Sequence, residues 1–403
     1  MPAPENDIQN TVKELKEQGY YIRTNRNKSY LYHPASNTEL AIEDLVHPSQ
    51  KAYVFKSLPK INEEVFLPNK NKLILLPGDY YQLNTWKQYS PKSQGSDSCI
   101  KLWIEFLERL FPIEEERKQV VQFLAHMIQK PEERPSFALL LTSEQGTGKG
   151  VLFSEILYPL LCGQAVQNDN YSTFTSKHSN SLHGTMLCML DDPKSDHPST
   201  MTKLKSRISE SMIQIEPKYE MPRTVPVFTR IMLASNERTP LKLTEKDTRR
   251  WYAPGYIKHQ SNLVETQVFI KRLLKELDLD TIYNWFMSQS LEGFNHKSPP
   301  ETETLLAMVE RSKPELETEL EDFLKDRKVF QWECLKMHLS DSYYDKEIKD
   351  FLSREGYQSK RLTLKRKKQT FWYHCDIDSK TIKEAAESYI PYPFSSEDYN
   401  TTY

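Results

Sequence analysis

The chain reads as an α/β protein built around a parallel sheet. Three observations carry this. An apolar run at 137–141 is followed by a glycine-rich turn, by Lys149, and by a stretch at 151–157 with the apolar spacing of a helix packed on a sheet. Apolar runs at 185–190 and 228–233 follow, separated by helix-like segments, and this alternation marks the α/β class. The glycines are concentrated: of 11 in the chain, Gly146, Gly148 and Gly150 fall within five residues. In so glycine-poor a sequence, that clustering points to backbone amides that approach something closely.

The bulk numbers narrow the classes. A length of 403 residues suggests two or three domains. Charged residues at 27% and aromatics at 11% fit a folded soluble protein and exclude a disordered one. The net charge of −2 balances 54 basic against 56 acidic residues, so any nucleic-acid contact must come from local clusters. Cys99, Cys162, Cys188, Cys334 and Cys375 form no CxxC, which argues against zinc and disulfide scaffolds. Cys162 and Cys188 sit among apolar residues and read as small core residues. The first six residues are polar, so no signal peptide is expected. No apolar stretch reaches membrane-spanning length. The expected setting is cytoplasmic, reducing and away from membranes.

Taken in order, residues 1–98 read as a small mixed α/β region. Ile8, Val12, Leu15 and Tyr20 mark an amphipathic helix, and alternating segments at 20–24, 29–33, 52–55 and 73–77 read as strands. Pro77-Gly78-Asp79 is a turn, and the polar stretch 91–98 is a candidate linker. Residues 99–136 are a helical lead-in: Leu102, Ile104, Phe106, Leu107 and Leu110 mark one helix, and Val120, Val121, Phe123, Leu124, Met127 and Ile128 another. Residues 137–297 form the core, closing with a helical stretch from Ile257 to about Ser288. A second linker is expected near Ser298, and 298–403 form a basic C-terminal domain. There an acidic helix face at 315–322, two short helices near 335–338 and 346–352, and a basic hairpin at 360–374 resemble a winged helix.

Strand, glycine turn, lysine, helix is the order of a phosphate-binding loop. Glycines let amides point inward, the next helix adds free N–H groups and a positive dipole end, and Lys149 supplies a point charge for ATP. Glu144, Gln145, Gly146, Thr147, Gly148, Lys149, Gly150 and Val151 are the expected nucleotide-binding residues. Two positions are irregular. Ser143 stands where the pattern has glycine, and Gly150 where a Ser or Thr hydroxyl normally meets Mg²⁺. An ordinary strand–helix turn remains the competing explanation.

Three downstream elements bear on it. The run at 185–190 ends in Asp191-Asp192, carboxylates suited to holding Mg²⁺ and polarising water, or simply an Asp-Asp-Pro turn. The run at 228–233 leads to Ser235-Asn236, where Asn236 can position water or merely end a strand. Arg249 and Arg250 suit an arginine finger, or a surface pair with Asp247.

This set, in this order and spacing, resembles superfamily 3 helicases, the AAA+-type replicative ATPases of small viruses, phages and plasmids. The branch of phages and mobile elements, whose helicase parts often follow a primase–polymerase domain, is most similar, with its Gly-Lys-Gly loop ending, helical lead-in and Arg-Arg pair before an aromatic. The resemblance covers roughly 100–290. It implies an AAA+-like core, ATP and Mg²⁺ as cofactors, and a ring homo-oligomer, a hexamer, that translocates on single-stranded DNA. The chain would then be a DNA helicase, alone or as the C-terminal part of a primase–polymerase. The resemblance makes Lys149 a phosphate ligand, Asp191 the Mg²⁺ holder through water, Asp192 the base, Asn236 the sensor, and Arg249 or Arg250 the finger. The family more often carries Glu at position 192. With Gly150, this leaves open a nucleotide-dependent DNA-binding scaffold or loader with weak turnover.

For DNA, the resemblance places a channel loop between the second and third strands. Lys218 and Tyr219 suit phosphate contact and base stacking there, with Arg223 as helper. In the C-terminal hairpin Lys365, Arg366 and Lys367, with Phe371, Trp372 and Tyr373 nearby, suit the same chemistry. Lysines that protect an edge hairpin from sheet pairing explain that cluster equally well. Tyr80, Tyr81, Trp86 and Tyr89 read as packing residues, since only Lys87 accompanies them in sequence.

Overall fold

Alternating apolar residues at the start of the chain form a mixed six-stranded sheet. Its strands are β1 (Tyr21–Asn25), β2 (Lys28–His33), β3 (Thr38–Ala41), β4 (Lys60–Val65), β5 (Leu73–Leu76) and β6 (Tyr80–Asn84), in the order β3-β2-β1-β4-β6-β5. The β1–β2–β3 and β5–β6 pairings are antiparallel, whereas β4 runs parallel to both β1 and β6. Period-two alternation puts Ile22 and Leu31 on the face covered by the helix Glu5–Glu17, with Val12 and Leu15, and puts Tyr32, Ile61 and Leu83 on the other. The computed structural model describes residues 5–388 apart from 26–27, 45–46, 49–50, 79, 94, 169, 172–173, 175–181, 193–197, 216–221, 326, 340–342 and 365–366.

The segment 52–55, expected as a strand, lies in a helix, Lys51–Ser57. Val54 and Leu58, four apart, are buried, while Tyr53 and Phe55 are exposed. The burial period is therefore helical, and apolar contact with the first helix stabilises a helix too short to stand alone.

Two lead-in helices follow, Asp97–Leu110 and Glu114–Gln129. Cys99, Leu102, Trp103, Phe106, Leu107 and Leu110 form the buried stripe of the first, and Ile104 faces out. Residues 91–98 are pinned in place: the Lys92 and Ser93 amides each donate to Asp280 Oδ2 at 2.9 Å, and the Ser96 amide donates to Thr281 Oγ1 at 2.6 Å.

The core sheet is five-stranded and parallel throughout. Its strands are β7 (Ala138–Thr142), β8 (Ala165–Asn168), β9 (Leu187–Asp191), β12 (Arg230–Ser235) and β13 (Trp251–Tyr252), in the order β13-β7-β12-β9-β8. Strands β7 and β12 are buried along their whole length, which explains their unbroken apolar runs. Between β9 and β12, β10 (Met212–Ile215) and β11 (Arg223–Pro226) form a separate antiparallel hairpin. Leu139, Leu141, Met189, Met232 and Ala234 share one core with the lead-in helices and with helices Leu263–Lys275 and Leu279–Ser288.

The single helix expected over 257–288 is thus two, and Ile257 belongs to neither. Asn262 caps the first, accepting from the Glu265 amide at 2.9 Å, and Asp278 caps the second, accepting from the Asp280 amide at 3.1 Å. Two capping residues inside one apolar pattern force the break.

The chain divides after Met308 into two compact units. Near Ser298 it is still bonded to the first: the Ser136 hydroxyl donates to Lys297 O at 2.6 Å, and the Thr302 hydroxyl to Ala253 O at 2.6 Å. The second unit packs helices Glu315–Leu324, Trp332–His338 and Asp345–Arg354 with an antiparallel sheet of β14 (Val329–Gln331), β15 (Tyr357–Leu364) and β16 (Lys367–His374). Phe371 and Trp372 are buried, so they are not free to stack on a base.

Candidate nucleotide site

The turn after β7 is clamped from the side. Ser143 pairs with Ile257; the Ile257 amide donates to Thr142 O and the Glu144 amide to Ile257 O, each at 2.9 Å. The His259 amide donates to Glu144 Oε2 at 2.9 Å, and His259 Nε2 lies 3.0 Å from Gln145 O. The reversal that remains falls on two glycines. Gly146 has φ +81° and Gly148 φ +114°, backbone states that L side chains rarely adopt. Space excludes a side chain at 148 as well, where a Cβ would lie 2.8 Å from buried Phe106 Cε2. At 146 the near atom, Leu263 Cδ1 at 2.7 Å, is the tip of an exposed side chain that can move, so the backbone conformation decides there. Gly150 differs from both. Its φ is ordinary, and a Cβ there would meet nothing within 4 Å, so position 150 opens onto free space.

Lys149 opens that helix, which continues as a π-helical stretch, Leu152–Leu157. Its ammonium is buried and, among the described residues, contacts only neutral oxygens: Ser143 Oγ, Ser235 O at 3.3 Å and Asn236 Oδ1 at 3.3 Å. Burial lowers the Lys149 pKa from its ordinary value, against the opposing pull of Asp191 and Asp192. The lysine therefore joins the ends of β7 and β12, close to the two carboxylates at the end of β9.

Those carboxylates are held differently. Asp191 accepts a hydrogen bond from Gln167 Nε2 at 2.8 Å, so the short strand β8 positions it. Asp192 is left-handed, with φ +44°, a conformation Asp tolerates better than most residues. Its amide donates to Ala234 O at 2.7 Å, and its carboxylate accepts from the Ser235 hydroxyl at 2.7 Å. Sequence reasoning gave no role to Gln167 and treated Ser143 as an irregularity. The signal for Ser143 was its place at the tip of an apolar strand, directly before the turn.

The two arginines separate. The turn Glu245–Arg250 is capped by Thr244, whose amide and hydroxyl donate to Asp247 Oδ2 at 3.0 and 2.8 Å. Lys205 Nζ donates to the same buried carboxylate at 2.7 Å, and Arg250 lies 3.5 Å from it. Burial alone would raise the Asp247 pKa, but the bonds from Lys205 and Thr244 outweigh it and hold the carboxyl below its usual range. Arg250 thus pairs with Asp247, the alternative to a finger, although Asp247 is buried and not at the surface. Arg249 is exposed and has no ion pair among the described residues.

Lys218 and Tyr219 lie outside the described residues, as do Lys365, Arg366 and the side chain of Lys367. Arg223, on β11, lies 3.6 Å from Glu63 of β4, an ion pair within the first unit.

A second polar cluster lies at the opposite end of β12. His126, Glu133 and His296 place one nitrogen or oxygen each within 4.8 Å of one another. Fully buried Arg230 approaches His126 Nδ1 at 3.4 Å and donates to the carbonyls of Lys130 at 2.9 Å and Glu133 at 2.7 Å. A guanidinium only donates, so Nδ1 accepts and the ring proton sits on Nε2, 3.3 Å from Glu133. That tautomer leaves no lone pair on Nε2 for a metal. Burial and Arg230 bring the His126 pKa down to about 4, keeping the ring neutral.

The sheet and its turn define an α/β protein with a lysine-bearing glycine turn and paired carboxylates at adjacent strand ends. A family model described as a family of unknown function (DUF5906) matches residues 141–250, a span that holds the turn, Asp191, Asp192, Asn236 and both arginines. No curated protein matches the sequence. Among solved structures, the A form apo structure of the NrS-1 C-terminal region aligns with TM-score 0.66 and 16% identity over 90% of this chain and 98% of that one. The apo structure of the same region, residues 305–718, aligns with TM-score 0.68 and 17% identity over 92% and 100%. A further A form structure of 305–718 gives TM-score 0.66 and 16% identity over 92% and 100%. This chain therefore shares its fold with the C-terminal region of NrS-1. Among the described residues, no helix is long and apolar enough to cross a membrane.

Proposed function

We propose that this chain is an ATP-driven translocase on single-stranded DNA, a helicase of superfamily 3 type acting in phage or mobile-element replication, with 144–151 as its triphosphate site. The observation that carries this is the buried Lys149 ammonium, which among the described residues touches three neutral oxygens and no carboxylate. A buried cation without a direct counter-ion is costly, and an anion bound at the glycine turn would relieve that cost. Magnesium, bound with the nucleotide, would neutralise phosphate charge. Asp191, steadied by Gln167, is the residue to hold it through water. Asp192, fixed by Ser235, orients the attacking water, and Asn236, which accepts from Lys149, is the sensor. Arg249 is the residue to reach a neighbouring subunit's site in a ring of six, because Arg250 is committed to Asp247. Lys218 and Tyr219 would grip the strand, with the C-terminal cluster Lys365–Lys367 adding phosphate contacts and a primase–polymerase linked or separate.

ATP turnover with and without oligo-dT tests this reading. Lys149→Ala and Asp191→Ala each remove DNA-stimulated turnover, by roughly a hundredfold or more if the charge acts in the transition state. If both variants retain it, the enzyme reading is wrong. Gly150, which offers no hydroxyl to Mg²⁺, favours a second reading, a nucleotide-dependent DNA scaffold or loader. Tight ATP binding with no stimulated turnover in the unaltered protein would select it.

A further inference from the structure

The first sheet gathers residues that the sequence scatters. Lys16 and Lys56 lie in the last turns of helices Glu5–Glu17 and Lys51–Ser57, and Lys60 begins β4. With Tyr20, Tyr80 and Tyr81 they line one half-open pocket of about 500 Å³. Among the described residues no carboxylate lines it; Asp79, between Gly78 and Tyr80, lies outside them. None of the three lysines has an acidic partner among the described residues. Tyr80 is 40% exposed, Tyr81 is braced edge-on by Tyr21 at 5.0 Å between ring centroids, and Lys60 Nζ sits 4.8 Å above the Phe55 ring.

A plainer role for these lysines is to balance the negative ends of the two helices. The magnitudes argue against that as the whole account. Two helix ends carry roughly half a charge each, about −1 in total, against three ammonium groups, which leaves about +2 among the described groups. Lys60 is on a strand and answers no helix end. A cationic pocket with exposed ring faces, in a chain of net charge −2, is a local cluster of the kind that single strands require. Ammonium groups follow the phosphates while rings stack on bases, and the volume falls within the usual range for ligand sites.

We propose that this pocket binds one or two nucleotides of single-stranded DNA, as a strand contact separate from the β10–β11 hairpin. It does not depend on ATP turnover, so the two readings can fail independently.

The test uses the full chain without nucleotide, fluorescein-labelled oligo-dT, and anisotropy across a salt series. The triple variant Lys16→Gln, Lys56→Gln, Lys60→Gln should lower the slope of log affinity against log salt by about 2, from three contacts at roughly 0.7 each. Tyr80→Ala should weaken binding about tenfold at unchanged slope. Lys16, Lys56 and Tyr80 are exposed, so an unchanged melting temperature is the control for folding. Oligonucleotides carrying 5-iododeoxyuridine should crosslink to Tyr20, Tyr80 or Tyr81. Unaltered slope and affinity in both variants, with crosslinks elsewhere, overturns the proposal. So does equal competition by free dTTP, since the pocket would then take mononucleotides.

Discussion

Replacing Gly150 by alanine tests the geometry of the turn. Its φ is ordinary and an added Cβ would meet nothing within 4 Å, so the substitution introduces neither strain nor a clash. What remains is helix propensity, where glycine is about 0.5–1 kcal/mol worse than alanine. For a unit of this size that corresponds to roughly 1–3 °C in melting temperature. Gly148→Ala is the matched opposite. With φ +114° and a Cβ 2.8 Å from Phe106, it combines backbone strain of about 1–2 kcal/mol with overpacking of about 1–3 kcal/mol. Scanning calorimetry of the two variants should show a small rise and a large fall. If Gly150→Ala falls as Gly148→Ala does, the turn is not built as described. Gly150→Ser adds the functional arm: the hydroxyl fits the open space and should raise turnover at limiting Mg²⁺ without unfolding the turn.

Further outcomes follow from the same contacts. Arg230→Met strands several buried carbonyls, including those of Lys130 and Glu133, and should destabilise by about 3 kcal/mol or more in urea melts. Arg249→Ala should keep ATP binding and lose stimulated turnover, whereas Arg250→Ala should chiefly lower the melting temperature; equal turnover losses would contradict the separation of their roles. The His126 value of about 4 lies below the ordinary 6.5, so the unfolded chain takes the proton first as pH falls. His126 therefore contributes stability that is complete above about pH 6.5 and is lost toward pH 4, at up to about 1.4 kcal/mol per unit. His126→Gln should flatten that part of the stability–pH curve. Ser235→Ala frees the Asp192 carboxylate and should reduce turnover far more than its stability loss of about 1 kcal/mol suggests.

The central strands were legible because buried parallel strands need unbroken apolar runs, and β7, β9 and β12 have them. β8 and β13 were not, since four and two residues carry no readable period. The segment 52–55 misled because a short alternation and a Val54–Leu58 helical pair overlap. Lys149, Asp191, Asp192 and Asn236 could be singled out from the sequence, each at the end of an apolar run or in the turn that follows one. Gln167 could not, because its link to Asp191 exists only through sheet order. The same holds for Tyr80 and Tyr81. In sequence they have one lysine nearby, and in space they gain Lys16, Lys56 and Lys60 from three other elements.

Asp247 has a consequence beyond the turn it caps. Its partner Lys205 lies on the helix Pro198–Ser209, which leads into β10 at Met212. At that end, Arg134 holds the carbonyls of Arg207, in the last turn, and of Glu210, just beyond it, and, at 2.6 Å, that of Thr229 just before β12. The helix is thus tied at both places, so the start of the β10–β11 hairpin and the segment that carries Arg249 are braced by one element: Arg134 holds its end and Lys205 reaches from it to Asp247.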